Sequence, residues 1–475
     1  VLLLELALLS GCSRGLQTPR FHVPSADEFL QTPAAQRLRA GAKGANLIIV
    51  SLDAARADHF TSFGYELNTT PHLASFFDDS VLFTEAYAAG ASTKPAVTSL
   101  FTAQFPDTHG THSLKYAMTA EGATLAQCLS AAGFTTAAFS ASPAVSASFG
   151  FSRGFRTFEE IFREVGMHAG GGDLPRDQGW VVVDGARVLQ AATRWIGARS
   201  GERFFVYIHF REPHSPYGAS ESFRAETASP DARPVGRSLG RYDEGLAYAD
   251  ALVAQLLREL RARNLWERSI IVFLADHGEG FGEHGVLRHD EATYQEIVHV
   301  PLAIHLPTRC GVSPQRRREV FCLTDLMPTL LDLLQLPPPA TMQGRSRLAL
   351  LTGEREKASA FAVSRAFGKD QTGGVDRPDQ VSYAWRDARY TLLLADRGRR
   401  VELYDRATDP GEAHDLAARE PWVVARLRKQ FAAWAATQRG RPVVLPGGRV
   451  YVTQVSDTQM EDEVRRQLKA LGYLK

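Results

Sequence analysis

Four cysteines in 475 residues leave little for sulfur chemistry, and none lies in a Cys-x-x-Cys pair or a Cys/His cluster of the kind that holds structural zinc. Charge of one sign is also missing. Fifty-four lysines and arginines nearly balance 53 aspartates and glutamates, leaving +1. No basic surplus points to nucleic acid, and no acidic block points to a disordered tail. Internal repeats are absent. The run Gly170-Gly171-Gly172 lacks the Lys-Ser/Thr pair of a phosphate-binding P-loop and reads as connection. No Gly-x-Ser-x-Gly elbow occurs, which disfavours a serine hydrolase. The apolar run Val1–Leu9 is broken by Glu5 and falls well short of the ~20 residues that a spanning helix needs.

That same run, followed by Ser10-Gly11-Cys12, reads as a targeting segment. Small residues before a cysteine are the pattern cleaved from bacterial lipoprotein precursors, which leaves a lipidated Cys12. No basic stretch precedes the run, so the natural start is expected upstream. Lipid chains would place the protein, exported, at a bacterial membrane surface on the periplasmic or extracellular side. Residues 13–44, polar with Pro and Ala, read as a tether. Cys128 lies in an apolar helical stretch and reads as a small core residue. Cys310 and Cys322 are close enough in sequence for an exported protein to oxidise, so a disulfide between them stays open beside two free thiols.

From residue 45 onward, strands and helices alternate. Leu47-Ile48-Ile49-Val50 is a continuous apolar run, as expected for a strand covered on both faces. Strands are also expected at 81–87, 134–139, 204–209, 270–274 and 300–304, with helices at 73–77, from Thr93 or Lys94, and at 124–132, 242–263 and 324–334. The longest helix carries Leu246, Ala249, Leu252, Val253, Leu256 and Leu260 at helical spacing. Such alternation implies an α/β fold, a large mainly parallel sheet sandwiched by helices, over residues 45–340. Beyond, 341–475 reads as a smaller α+β subdomain and tail. It has antiparallel strands at 381–394 and 401–405 and helices at 422–435 and 461–471.

Ligands of such sheets bind beyond the carboxyl ends of the strands. Asp53, His214 and Asp276 each follow shortly after an expected strand and can converge. Asp53, Asp276 and His277 offer two hard oxygens and a nitrogen, and Thr93 completes a four-ligand set. The mixture suits one divalent ion, Mn²⁺, Zn²⁺ or Mg²⁺, with Ca²⁺ less favoured because it wants more oxygens. A dication there would lower the pKa of the threonine hydroxyl, and a helix starting at Thr93 would add donors for an anion. Around it, His214 and His289 rank first among the histidines as partners of an anionic ester and as proton donors to its leaving group. His284, His109, Lys94 and Lys115 rank below them as substrate contacts. Any one of these carboxylates or histidines alone reads equally well as a cap, a salt bridge or a surface group.

Taken together the motifs resemble the sulfatase family of the alkaline phosphatase superfamily, over most of the chain from about Asn46. Ile49-Val50-Ser51-Leu52-Asp53 with Thr69-Thr70-Pro71 resembles the family's first metal segment. Thr93 to Gly110 falls on its nucleophile motif, Glu212-Pro213-His214 on its substrate-histidine loop, and Asp276-His277-Gly278-Glu279 on its second metal segment. The resemblance implies an alkaline-phosphatase-like fold and a metal-dependent ester hydrolase or transferase. The departures bear on the chemistry. Thr93 stands where sulfatases mature a Cys or Ser to formylglycine, and Val97 stands where they place an arginine. Ala54 replaces a second aspartate and His277 replaces an asparagine. Asp, Thr, Asp and His together resemble phospholipid head-group transferases and phosphodiesterases of the superfamily, in which the threonine attacks phosphorus. Phosphate (di)ester chemistry at Thr93 is therefore expected. Sulfate ester hydrolysis without formylglycine, or a non-catalytic binding protein on this fold, are the alternatives.

Overall fold

In the computed structural model the described residues are 29–112, 116–118, 122–163, 184–199, 201–219, 237–354, 360–369 and 376–438. Their strands in chain order are β1 (Asn46–Leu52), β2 (Val81–Tyr87), β3 (Thr135–Ser140), β4 (Thr157–Glu160), β5 (Phe204–Phe210), β6 (Ser269–Ala275), β7 (Gly280–Phe281) and β8 (Leu287–Arg288). They continue with β9 (His299–His305), β10 (Gln315–Arg317), β11 (Phe321–Cys322), β12 (Ala362–Lys369), β13 (Asp376–Arg386), β14 (Tyr390–Ala395) and β15 (Arg400–Asp405). Nine of them form one sheet in the order β10-β2-β9-β6-β1-β5-β3-β4, with β11 also on β2. Only β9 runs against its neighbours β2 and β6. β1 lies at the centre and every residue of it is buried, which is why its sequence is apolar without alternation.

Register then places the chemistry. β1 pairs in parallel with β5 and β6, Leu52 standing opposite both Phe210 and Ala275. The ladder continues one step past the strands: Asp53 N–H donates to Phe210 O at 3.0 Å, and Asp276 N–H donates to Leu52 O at 3.1 Å. Three adjacent strands thus deliver Asp53, the 211–214 loop and Asp276 to one rim. The helix Thr93–Thr102 follows β2 onto that rim, and all ten of its residues are buried. The amphipathic helix Arg237–Ala262 covers the sheet with Leu246, Ala249, Leu252, Val253, Leu256 and Leu260 turned inward, as its spacing predicted.

A second core joins the four-stranded antiparallel sheet β12-β13-β14-β15 to the helix Pro421–Thr437. It also takes in Tyr87, Ala89, Ala91, Phe105, Tyr294, Ile297 and Val298 from the large sheet's side, so the packing is continuous across the seam. An isolated parallel bridge, Gly90 to Arg365, ties the two just ahead of Thr93.

Several expectations need correction. Residues 33–42 of the expected tether form a helix whose Ala35, Leu38 and Ala42 are buried in the main core. Thr32 caps it and Pro33 opens it. The 381–394 segment is two strands around a turn that Asp387 closes through the N–H groups of Arg389 and Tyr390. The edge strand β12 was not foreseen. Cys310 and Cys322 are both free. They sit in different cores, and Cys322 Sγ–H is directed to Val363 O at 3.8 Å. Cys12, residues 13–28, Lys115, Gly170–Gly172 and the helix expected at 461–471 lie outside the described residues. Among the described residues no helix is long and apolar enough to cross a membrane.

Candidate active site

Thr93 occupies the first turn of its helix with its hydroxyl aimed at the rim. Its Oγ1 lies 3.2 Å from Asp53 Oδ1 and 3.1 Å from His277 Nε2. His277 Nε2 is in turn 3.3 Å from Asp53 Oδ1 and 3.8 Å from Asp276 Oδ1. One ligand atom each from Asp53, Asp276 and His277 falls within 4.8 Å of the others, and all three residues are buried. The four residues expected to form a metal set therefore meet.

Local structure explains their orientation. Asp276 Oδ1 accepts from His277 N–H at 2.8 Å and Ala54 N–H at 3.3 Å. Ala54 holds φ at 61°, a left-handed conformation costing an alanine on the order of 1 kcal/mol, beside the carboxylate that its N–H reaches. His277 Nδ1–H donates to Gly278 O at 2.8 Å, which leaves Nε2 facing Thr93 and the carboxylates.

The donor set fits a dication. Asp53 Oδ2 and Asp276 Oδ2 are fully buried without a hydrogen-bond partner, which is costly for carboxylates unless a positive charge joins them. Burial alone would raise Asp53, but His214 and His277 reverse the sign and hold its carboxyl well below the usual range. Burial alone would lower His277, yet Asp276 and Asp53 pull it up to about 10. The carboxylates thus attract one positive charge, and a proton on His277 meets that demand whenever a cation does not.

A second layer of imidazoles faces this cluster. His289 Nδ1 is held by Glu279 Oε1 at 2.8 Å, and its ring centroid lies 4.4 Å from that of His277 and 5.1 Å from that of His214. Arg288 and Asp290 on either side of it both take positive φ, 68° and 92°, so the chain bends sharply to present the ring. Arg211 Nη2 approaches His214 Nδ1 at 2.9 Å and also reaches Ser215 O. His214 Nδ1 also lies 2.5 Å from Ser215 O, so it faces a guanidinium, which only donates, and a carbonyl, which only accepts. Burial, abetted by Arg211 and His289, lowers His214 to about 3, which keeps the ring neutral. Lys94 is also buried, with its ammonium 3.7 Å from the Phe149 ring centroid.

Two expected substrate contacts serve elsewhere. His109 accepts at Nδ1 from Thr111 N–H (3.1 Å), so its Nε2–H goes to Ser99 Oγ at 2.9 Å. The ring ties the 99–111 turn together. His284 spends Nδ1 on Glu296 Oε1 and Nε2 on Glu412 O, both at 2.8 Å, and stacks on Tyr294 at 3.9 Å. It belongs to the seam between the two sheets. Conversely, Glu279, Arg211 and Arg56 were not foreseen in these roles. Arg56 is buried and clamps Asp58 at 2.7 Å, Glu283, and Glu279 O at 3.3 Å, which fixes the 279–283 turn. The Asp276-His277-Gly278-Glu279 run was the available signal for Glu279, and the segment Ile49 to His59, which resembles the family's first metal segment, was that for Arg56; Arg211 carried none.

A mixed α/β sheet with a hydroxyl, two carboxylates and an imidazole at the carboxyl ends of its central strands defines the alkaline-phosphatase-like class of folds. The profile described as Sulfatase matches residues 45–336, and that described as N-sulphoglucosamine sulphohydrolase, C-terminal, matches residues 282–436. The chain belongs to the sulfatase family. It is 32% identical over 170 residues to a Delta 4,5-hexuronate-2-O-sulfatase of Bacteroides thetaiotaomicron, covering 35% of this chain and 34% of that one. It is 23% identical over 422 residues to an ulvan-active sulfatase of Formosa agariphila, covering 82% of this chain and 81% of that one. The matched segment thus spans about a third of the first relative's length. Among solved structures, a phosphonate monoester hydrolase of Agrobacterium radiobacter superposes with a TM-score of 0.69 at 20% identity, over 84% of this chain and 97% of that one. A 2-O GAG sulfatase superposes with a TM-score of 0.70 at 19% identity, over 86% and 95%. These likenesses establish the fold.

Proposed function

We propose that the protein is a metal-dependent hydrolase or transferase of anionic esters, acting on phosphate (di)esters through Thr93 as nucleophile. The observation that carries this reading is the placement of Thr93 Oγ1 at 3.1–3.2 Å from both His277 Nε2 and Asp53 Oδ1, at the start of a buried helix. Asp53, Asp276, His277 and Thr93 would hold one divalent ion, for which Mn²⁺, Zn²⁺ and Mg²⁺ are the first choices. When bound, it supplies the positive charge that lowers the pKa of the threonine hydroxyl and offsets charge on the ester. Thr93 Oγ attacks phosphorus, the bond to the leaving alcohol's oxygen breaks, and an imidazole of the His214–His289 pair gives that oxygen its proton. The N-terminal end of the helix, together with Lys94, binds the charged oxygens. Water, or a second alcohol in a transferase, then releases the phosphoryl group from Thr93.

Sulfate ester hydrolysis is the second reading, favoured by relatives that bear sulfatase names, some of them for sulfated glycans. A phospholipid head group, another phosphodiester and a sulfated glycan are the corresponding substrates. Turnover of bis(4-nitrophenyl) phosphate and 4-nitrophenyl sulfate by metal-replete protein separates the two readings. Activity on the sulfate alone rejects the first. A Thr93→Ala variant with undiminished diesterase activity rejects the nucleophile.

Lipidation of Cys12 and residence at the outer side of a bacterial membrane complete the proposal. The Ser10-Gly11-Cys12 sequence supports it. Detergent phase partition of the expressed precursor against its Cys12→Ser variant tests it, since equal partition of the two excludes the anchor.

A further inference from the structure

His209 is a buried histidine that the proposed reaction leaves unused. It projects from β5, level with Ser51 of β1, and has no exposed surface. Both of its ring nitrogens lack a hydrogen-bond partner. A neutral imidazole always carries one N–H, and leaving that donor unpaired in the interior costs about 1–3 kcal/mol. Facing it at 3.7 Å from Nε2 is Asp276 Oδ2, which is equally buried and equally unpartnered. Two orphaned groups of complementary character thus point at each other just outside hydrogen-bond range. Meanwhile Oδ1 of the same carboxylate is already gripped by two backbone N–H groups.

We propose that His209 holds Asp276 in place as a ligand for the divalent ion: its Nε2–H donates to Oδ2, completing a three-donor grip that leaves one of the carboxylate's four lone-pair sites for the ion. A small shift of either group closes the gap. Ligating carboxylates are routinely oriented by such donors, and loss of one typically weakens metal binding by about 10–100-fold. His209 is accordingly a positioning residue, reached through Asp276 and contacting neither substrate nor the threonine. The inference rests on the metal site proposed above, but not on which ester is cleaved.

The test is the affinity of the full chain for Mn²⁺, measured by competition with a chelating dye, in the wild type, His209→Gln and His209→Phe. Melting of the metal-free proteins runs alongside. Gln keeps a donor near Nε2, whereas Phe keeps the volume without a donor. The expected result is a loss of about 10–100-fold for His209→Phe and a loss several-fold smaller for His209→Gln, with all three metal-free proteins melting cooperatively. Unchanged affinity in His209→Phe overturns the inference. So does an equal loss in both variants, or a loss accompanied by collapse of the metal-free His209→Gln fold, since either makes the residue a packing element. A wild type that fails to bind Mn²⁺, Zn²⁺ or Mg²⁺ removes the metal site itself. That outcome is distinct from a wild type that binds and a His209→Phe variant that binds as well.

Discussion

His284 and His289 lie five residues apart, and they serve two regions built on opposite principles. His284 stands in the seam between the large sheet and the C-terminal sheet, with both nitrogens spent on Glu296 and Glu412. Glu412 there also takes Arg386 at 3.0 Å and Gln295 N–H at 2.8 Å. His289 stands on the rim, with Nδ1 engaged by Glu279 and Nε2 unpartnered. Around it Asp53 Oδ2, Asp276 Oδ2 and His209 are likewise incomplete. The seam and the rim use the same residue types, with His284 half-buried and His289 buried. What separates the two histidines is satisfaction: both nitrogens of His284 are engaged and Nε2 of His289 is not, although Arg386 Nε and Nη1 at the seam also lack partners.

The largest expected break of this contrast is at the rim. Thr93→Ala removes the proposed nucleophile and should lower kcat by about a thousandfold or more on whichever ester is turned over, measured under saturating substrate. Circular dichroism and melting should be close to wild type, because the hydroxyl contributes to a site left incomplete. A variant that loses less than tenfold would mean that water attacks directly.

Next is the response to metal. Because carboxylate oxygens at the rim are unsatisfied, an added dication should stabilise the protein by about 2.7 kcal/mol at a free concentration one hundred times its Kd. A rise in Tm on adding Mn²⁺ to chelator-treated protein reads this. Asp53→Asn and Asp276→Asn should each abolish most of the rise. A chelator that leaves Tm unmoved in the wild type speaks against a metal at the rim.

At the seam, the same class of mutation should cost stability and spare chemistry. His284→Ala forfeits two hydrogen bonds and should lower unfolding free energy by about 1–3 kcal/mol in urea melts, with kcat near wild type at a temperature where the variant is folded. The effect has a pH signature. Burial alone would depress His284, but Glu296 and the Glu412 carbonyl raise it to about 9, above the ordinary 6.5. A raised folded-state pKa stabilises fully below the unfolded value and fades as pH climbs through the folded one. The stability gap between wild type and His284→Gln should therefore be widest below pH 6.5 and narrow between pH 6.5 and about 9. A gap that widens with pH would mean that His284 is held neutral.

The rim was more legible in the sequence than the seam, for a physical reason. Parallel strands buried on both faces leave unbroken apolar runs, and the residues just past the end of each run must emerge at the same edge of the sheet. Asp53, His214 and Asp276 could thus be placed together from one dimension. Whether a histidine there ends with both nitrogens engaged depends on partners far off in the chain, and His284 finds one of its two 128 residues away. His109 was misread for the opposite reason, since its partners Ser99 and Thr111 are local but satisfy it completely. Arg211 acts through geometry that a sequence pattern does not carry, and the segment that holds Arg56 does not show its clamp on the 279–283 turn. The helix at 33–42 was hidden by small and polar residues, its inward face being Ala35, Leu38, Gly41 and Ala42.

The smallest expected effect is none at all, and it concerns the cysteines. Burial raises both Cys310 and Cys322 to about 11, so neither offers much thiolate to an oxidant at neutral pH. They belong to separate cores, Cys310 under the helix at 33–42 and Cys322 against β12. Joining them would require one core to give up a packed side chain. A reductant should therefore leave Tm unchanged, and thiol titration in denaturant should count Cys128, Cys310 and Cys322 as free. A fall in Tm with reductant, or a loss of two titratable thiols, would mean that the seam is fastened covalently. The contrast drawn above would then rest on a staple rather than on satisfied polar groups.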